Sequence, residues 1–259
     1  MAENLVIFCN CQSRLESQPW IETSDILNRL SDIDLLTITD LCGCGALNPE
    51  KLVSLIDDAR KILVVACHPR AVSLILNHAG ITNQERISFF NLLEKKTDAL
   101  ITVADDFRNS VPATSTKKEL HADPSWPSWY PVIDGQRCNS CGQCADFCLF
   151  GVYQKMDGKV AVINPKSCKN NCPACARICP RVAILFPKYG LGGAIGGSES
   201  GDETLEMKRL QQDTDAILGS DIYHALEQRK MKRRMVIRED LMQQAVRERE
   251  EALSNLKNE

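Results

Sequence analysis

The sequence predicts an α/β N-terminal domain with a mainly parallel sheet, a small α+β module built on duplicated cysteine arrays, and a helical C-terminal tail. Three observations carry this. Short apolar runs alternate with helically spaced stretches over residues 1–105, which implies parallel strands covered by helices on both faces. Residues 131–187 contain an internal repeat. From residue 204 onward apolar residues recur at helical steps.

The elements follow in order. Residues 5–9 form a first apolar run, and residues 24–30 have helical spacing behind Thr23 and Ser24 as caps. A second run covers 35–41, and residues 49–59 are its helix, with Pro49 suited to a first helical position. The third run, 62–67, precedes a helix over 69–79 that stops at Gly80. Residues 87–92 give a fourth strand and 97–107 a further helix. Residues 106–130 read as a linker, polar and broken by Pro112, Pro124 and Pro127; Trp126, Trp129 and Tyr130 near its end are expected to pack on the next module. Within 131–187, PVIDGQRC (131–138) aligns with AVINPKSC (161–168), a cysteine array follows each, and FGVY and VAIL close the halves. Residues 188–203, including GLGGAIGGSESG, read as a flexible connector, and their context argues against a nucleotide fingerprint. In the tail (204–259) Met231, Met235, Met242, Val246, Leu253 and Leu256 make one narrow stripe. Such a stripe is unsuited to folding alone, so the tail is expected to dock on a partner. The basic run 229–234 reads as a solvated helix face.

Composition bounds the function. The chain has 259 residues, 44% of them hydrophobic, enough for one substantial core or two small ones. A net charge of −3 argues against nucleic-acid binding. No apolar run approaches the ~20 residues of a membrane span. Residues 5–8 are too short for a signal-peptide core and follow no basic segment, so a cytoplasmic location is expected. Thirteen cysteines in a reducing compartment point to metal binding or redox chemistry. Five lie before residue 68 and eight between 138 and 179.

The eight form two arrays. The first is Cys138-x2-Cys141-x2-Cys144-x3-Cys148; the second is Cys168-x3-Cys172-x2-Cys175-x3-Cys179, followed by Pro180. Two-residue spacers let successive thiolates of one tight loop meet three corners of a cubane. Tetrahedral zinc is the alternative, although zinc sites usually pair two short motifs across a longer gap. Residues 132–186 resemble bacterial two-cluster ferredoxins, in which the fourth cysteine of each run ligates the other cluster. The resemblance implies two 4Fe–4S clusters, one on Cys138, Cys141, Cys144 and Cys179, the other on Cys168, Cys172, Cys175 and Cys148. Leu149 stands where that family usually has proline, and the second array carries one extra residue between Cys168 and Cys172.

The other five cysteines stand at strand ends: Cys9 and Cys11 in VIFCNC, Cys42 and Cys44 in DLCGCG, Cys67 in VVACHPR. Strand carboxyl ends share one edge of a parallel sheet, where ligands bind, so the five are expected to converge, with Gly43 and Gly45 letting the backbone approach a cluster. A metal such as zinc, or unligated thiols, are the other readings. These segments resemble the N-terminal domain of the A subunit of heterodisulfide reductase, which has Cys-x-Cys after the first strand, a cysteine after the second, and Ala-Cys-Ser-Pro-Arg after the third. The match implies a third 4Fe–4S cluster on four of Cys9, Cys11, Cys42, Cys44 and Cys67. It departs in the doubled Cys42/Cys44 and in His68 in place of serine, and that subunit's flavin domain has no counterpart here.

The expected function is therefore single-electron relay by a subunit or partner of a larger redox complex, with redox proteins such as a flavoprotein or a heterodisulfide reductase-like assembly as partners. Two other classes compete: a redox enzyme whose N-terminal cluster or dithiol reduces disulfides, and a cluster-based sensor or assembly protein. No independent catalytic set or P-loop occurs.

Overall fold

The computed structural model describes residues 4–198, apart from 15, 31–32, 58 and 109–114, together with Arg247. The helical tail expected over 204–259 lies outside the described residues, Arg247 aside.

Five parallel strands form the main sheet in the order β4-β3-β1-β2-β5. They are β1 (Asn4–Cys9), β2 (Asp34–Ile38), β3 (Lys61–Ala66), β4 (Ile87–Asn91) and β5 (Lys117–Leu120). Strand β1 is buried along its whole length, and β3 everywhere but Lys61. Central strands of a doubly covered parallel sheet read as continuous apolar runs for this reason. Helices α1 (Gln18–Arg29), α2 (Leu41–Leu47), α3 (Pro49–Ile56), α4 (Pro69–His78) and α5 (Asp98–Arg108) connect the strands. Helix α1 begins earlier than its spacing suggested: Pro19 lies in its first turn, and Thr23 is a buried residue of its apolar face rather than a cap.

Residues 106–130, expected to be a linker, instead supply β5. Asp34 is fully buried, and its Oδ1 accepts the Thr116 amide at 2.8 Å and the Thr116 hydroxyl at 2.6 Å. From that anchor Leu35–Ile38 pair with Lys117–Leu120. The strand escapes a reading by apolar pattern because three of its four residues are exposed, as suits a lysine-bearing sheet edge. Trp129 stacks on Phe186 of the following module at 5.1 Å, as expected, whereas Trp126 lies 5.6 Å from Tyr130, whose hydroxyl turns to the Cys42 carbonyl of the sheet domain.

The repeat region folds onto this sheet domain within one compact unit. Strand β6 (Val132–Ile133) pairs antiparallel with β9 (Ile184–Leu185), and β7 (Tyr153–Met156) with β8 (Lys159–Val162) through an Asp157-Gly158 turn with both φ positive, the preference of a tight hairpin. Short helices α6 (Gln143–Phe147) and α7 (Ala174–Arg177) follow the leading cysteines of each array. The Gly-rich segment is packed, not free, as far as Ser198. Its Gly193–Gly196 form α8, Phe186 donates its amide to the Ile195 carbonyl at 2.6 Å, and a Cβ on Gly197 would lie 2.8 Å from Ala71 Cβ. Glycine is used here for close approach to α4, which composition alone cannot distinguish from flexibility.

Candidate metal centres

The N-terminal cysteines gather where β1, β2 and β3 end. Strand β1 leads toward β2 on one side while its other neighbour β3 leads toward β4, so the loops after these two adjacent strands leave in opposite directions and open a crevice at this topological switch point. After Cys9 the chain turns sharply, the Cys11 amide donating to the Cys9 carbonyl at 2.9 Å. This brings Cys11 Sγ beside Cys9 and 3.2 Å from Ser13 Oγ. The Leu41 amide points at Cys9 Sγ at 3.5 Å, Trp20 Nε1 donates to the Cys9 carbonyl at 2.9 Å, and the Tyr130 hydroxyl donates to the Cys42 carbonyl at 2.9 Å.

Four of the five thiols act on one another. Their hydrogen bond raises Cys9 and lowers Cys11, with Lys188 and Ser13 also lowering Cys11. Burial raises Cys42, helped by Asp40, Cys67 and Cys11 and opposed by Lys188. Burial and Cys11 push Cys67 up to about 11. Cys44 stands apart. Burial and Asp40 push it up to about 11, and Lys51 rather than another thiol is its further neighbour. Helix geometry explains the split, since residues two apart point to nearly opposite faces and both cysteines lie in α2.

A Cβ on Gly43 would lie 2.6 Å from Ser128 Oγ, and one on Gly45 2.6 Å from Ile75 Cγ2. Both glycines admit protein neighbours. His68 directly precedes α4 as its N-cap residue and lies 3.8 Å from Glu94 through Nδ1.

Asp40 organises the centre. It caps α2 by accepting the Gly43 amide at 3.2 Å and forms an ion pair with Lys188. The two side chains are 0% and 6% exposed. Burial disfavours the Lys188 charge, yet Cys42, Cys11 and Asp40 together raise its pKa.

The two arrays of the repeat also gather in sets. A cavity is lined by Cys138, Cys141, Cys144 and Cys179, with Ile133, Val160 and Ile184 among its apolar walls. Burial pushes Cys144 up to about 11, and Cys179, Cys138 and Cys141 add to it. The Ser140 amide approaches Cys138 Sγ at 3.4 Å and the Ala183 amide Cys179 Sγ at 3.3 Å. On the other side burial pushes Cys168 and Cys175 up to about 12. Cys172 and Cys148 raise Cys168 further, and Cys168, Cys144 and Cys148 raise Cys175. The Tyr153 hydroxyl donates to Cys175 Sγ at 3.0 Å.

Backbone geometry repeats with the sequence. Ser140 and Asn171, each just before the second cysteine of its array, have φ of 58° and 59°; Gly151 and Val182, each three residues past the last cysteine, have 64° and 47°. The extra residue of the second array is thus absorbed between Cys168 and Asn171, ahead of the conserved geometry of the turn. A left-handed valine is strained, and Val182 is held there with its carbonyl facing Arg70 Nη2 at 3.5 Å.

All three donor sets are thiols, the ligands that iron–sulfur clusters take. The amides and phenol aimed at sulfur are also the groups that tune cluster potentials. A surface groove lined by Arg60, Lys61 and Arg86 among others contains no cysteine.

No protein-family model matches the chain. Over 61 residues it is 51% identical to an uncharacterized ferredoxin of Methanocaldococcus jannaschii, a match covering 23% of this chain and 42% of that relative. The chain carries a ferredoxin-type domain. That similarity supports iron–sulfur binding and an electron-transfer role, although the chain spans less than half of the relative's length. No helix among the described residues is long and apolar enough to cross a membrane.

Lys188, Asp40, Tyr130 and Tyr153 join these sites without being among the residues the sequence points to. Asp40 directly before Leu41 is a recognisable cap, and Tyr153 ends a repeat unit. Lys188 and Tyr130 reach the N-terminal cysteines from far along the chain and have no local signal.

Proposed function

We propose that this protein relays single electrons through three 4Fe–4S clusters, as a cytoplasmic subunit or partner of a larger redox complex. The ligand sets are Cys138, Cys141, Cys144 and Cys179; Cys148, Cys168, Cys172 and Cys175; and Cys9, Cys11, Cys42 and Cys67. The observation that carries the reading is the cavity lined by the four cysteines Cys138, Cys141, Cys144 and Cys179, drawn from both halves of the repeat. When bound, such clusters accept and donate one electron at a time. The protein's part is to hold the thiolates, exclude water and direct amides and hydroxyls at sulfur. Its redox partners are other electron carriers, with a flavoprotein or heterodisulfide reductase-like assembly the class that fits the N-terminal cysteine pattern.

The lowered pKa of Cys11 beside Cys9 favours one other reading, a Cys-x-Cys dithiol that reduces disulfides. Access weighs against it: Cys9 and Cys11 are 5% and 9% exposed, whereas reactive thiolates sit where a disulfide can reach them.

Iron, acid-labile sulfide and zinc per chain, measured on anaerobically purified protein, test the proposal. About twelve irons with little zinc support three clusters at four irons each. About eight would confine redox function to the repeat module. Stoichiometric zinc in place of iron would refute the relay.

A further inference from the structure

We infer that Lys188 sets the reduction potential of the N-terminal centre, because its ammonium is buried against Asp40 beside Cys11 and Cys42, where no solvent can replace its charge. This rests on Cys9, Cys11, Cys42 and Cys67 being cluster ligands. Lys188 follows the last strand of the cysteine repeat, and its neighbour Phe186 is held by the Ile195 carbonyl at 2.6 Å. Its ammonium is thereby carried into a centre built from the other end of the chain.

Burying a lysine costs free energy unless its charge is matched. One carboxylate matches it here: Asp40, itself fully buried. As an electrostatic pair the two side chains nearly cancel at a distance, but they are two separate charges for anything bound at the adjacent thiols. Taking up one electron from a one-electron donor adds one negative charge to the centre. Lys188 favours that change and Asp40 opposes it, in a setting where unit charges a few ångströms apart interact by several RT. The two residues thus act on the potential with opposite signs. A tether or a packing element would not.

The test uses the full chain, titrated anaerobically with dithionite and followed by electron paramagnetic resonance, with the Cys42→Ala variant assigning the N-terminal signal. Lys188→Met should lower the potential of that centre by at least tenfold in its reduction equilibrium constant, about 59 mV for one electron. Asp40→Asn keeps an oxygen for the Gly43 amide and removes the carboxylate charge that Oδ2 presents to Lys188, and should raise the potential by a similar factor. Lys188→Arg should stay near the parent, and the two centres of the repeat should not move. Shifts of the same sign in Lys188→Met and Asp40→Asn, or no shift in either, overturn the inference. Should Lys188→Met fail to fold, Lys188→Gln makes the same charge removal with a polar side chain, a fall in the potential supporting the inference and a rise or no change refuting it. About eight irons in the parent protein would remove the third cluster itself. Twelve irons with an unmoved potential would leave the cluster and refute only the role of Lys188.

Discussion

Tyr153 offers a clean perturbation of one centre. Its hydroxyl donates to Cys175 Sγ at 3.0 Å in a buried setting, and burial together with the nearby Cys175 raises its own pKa, keeping the proton on oxygen. Tyr153→Phe removes that donor and nothing else of the side chain. A hydrogen bond to a charged group contributes about 1.5–3 kcal/mol. Only the part that strengthens when the sulfurs gain electron density bears on the potential. Taking that part as roughly 1 kcal/mol, or about half the bond, and converting at ~59 mV per ~1.4 kcal/mol for one electron, the centre on Cys148, Cys168, Cys172 and Cys175 should fall by about 40 mV. The centre on Cys138, Cys141, Cys144 and Cys179 should move by much less. Redox titration with paramagnetic resonance reads both in one sample. A shift under about 10 mV, or one toward higher potential, would show that the phenol does not stabilise the reduced form and would break the link drawn between this contact and tuning.

Three further outcomes follow. Cys44→Ala should retain about twelve irons per chain while Cys42→Ala loses about four; equal losses would return Cys44 to the ligand set. Gly43→Ala should destabilise the fold by about 1–3 kcal/mol, read from the denaturation midpoint, because its Cβ would sit 2.6 Å from Ser128 Oγ and 3.2 Å from Ala122 Cβ; an unchanged midpoint would mean that the segment around Ser128 yields freely. In the apo chain Cys67, Cys144, Cys168 and Cys175 are held up at about 11 to 12, above a free thiol near ~8.5. Their contribution to stability is present below that value and is lost as pH climbs through 11 and 12. Apo stability should therefore fall steadily above about pH 8.5, and a chemical-denaturation series from pH 7 to 10 that stays flat would refute those shifts.

Much of the scaffold was legible because burial writes itself into pattern. The runs at 5–9, 62–67 and 87–92 match β1, β3 and β4 to within a residue or so, since a strand covered on both faces must be apolar throughout. Helix α2 was not legible. Leu41–Leu47 contains two glycines, each unfavourable by about 1 kcal/mol in a helix. The Asp40 cap and the fit of Gly45 against Ile75 override that preference. Missing α2 had a cost at the site, because only the helix separates Cys42 from Cys44. Strand β5 was hidden for the converse reason: its lysines and glutamate satisfy an edge, and the partner that makes it a strand is Asp34, more than eighty residues earlier.

The N-terminal centre cannot be the property of residues 1–105 alone. Asp40 is fully buried and its ion-pair partner is Lys188, while Tyr130 holds the Cys42 carbonyl that begins the α2 turn. Arg70, placed three residues after Cys67, reaches Asp134 at 3.1 Å and the Val182 carbonyl at 3.5 Å, and Asp134 in turn takes the Arg137 guanidinium at 3.3 Å and offers its carbonyl to the Cys138 amide at 2.9 Å. One chain of contacts therefore runs from the loop of an N-terminal cysteine to the first cysteine of the repeat. Removing the part after residue 130 would leave Asp40 without its ion-pair partner, a defect of about 3–5 kcal/mol where the carboxylate stays buried, and would strip Arg70 of its partners. Two separable modules joined by a linker would tolerate that removal. An assembly whose charges interlock across the seam would not.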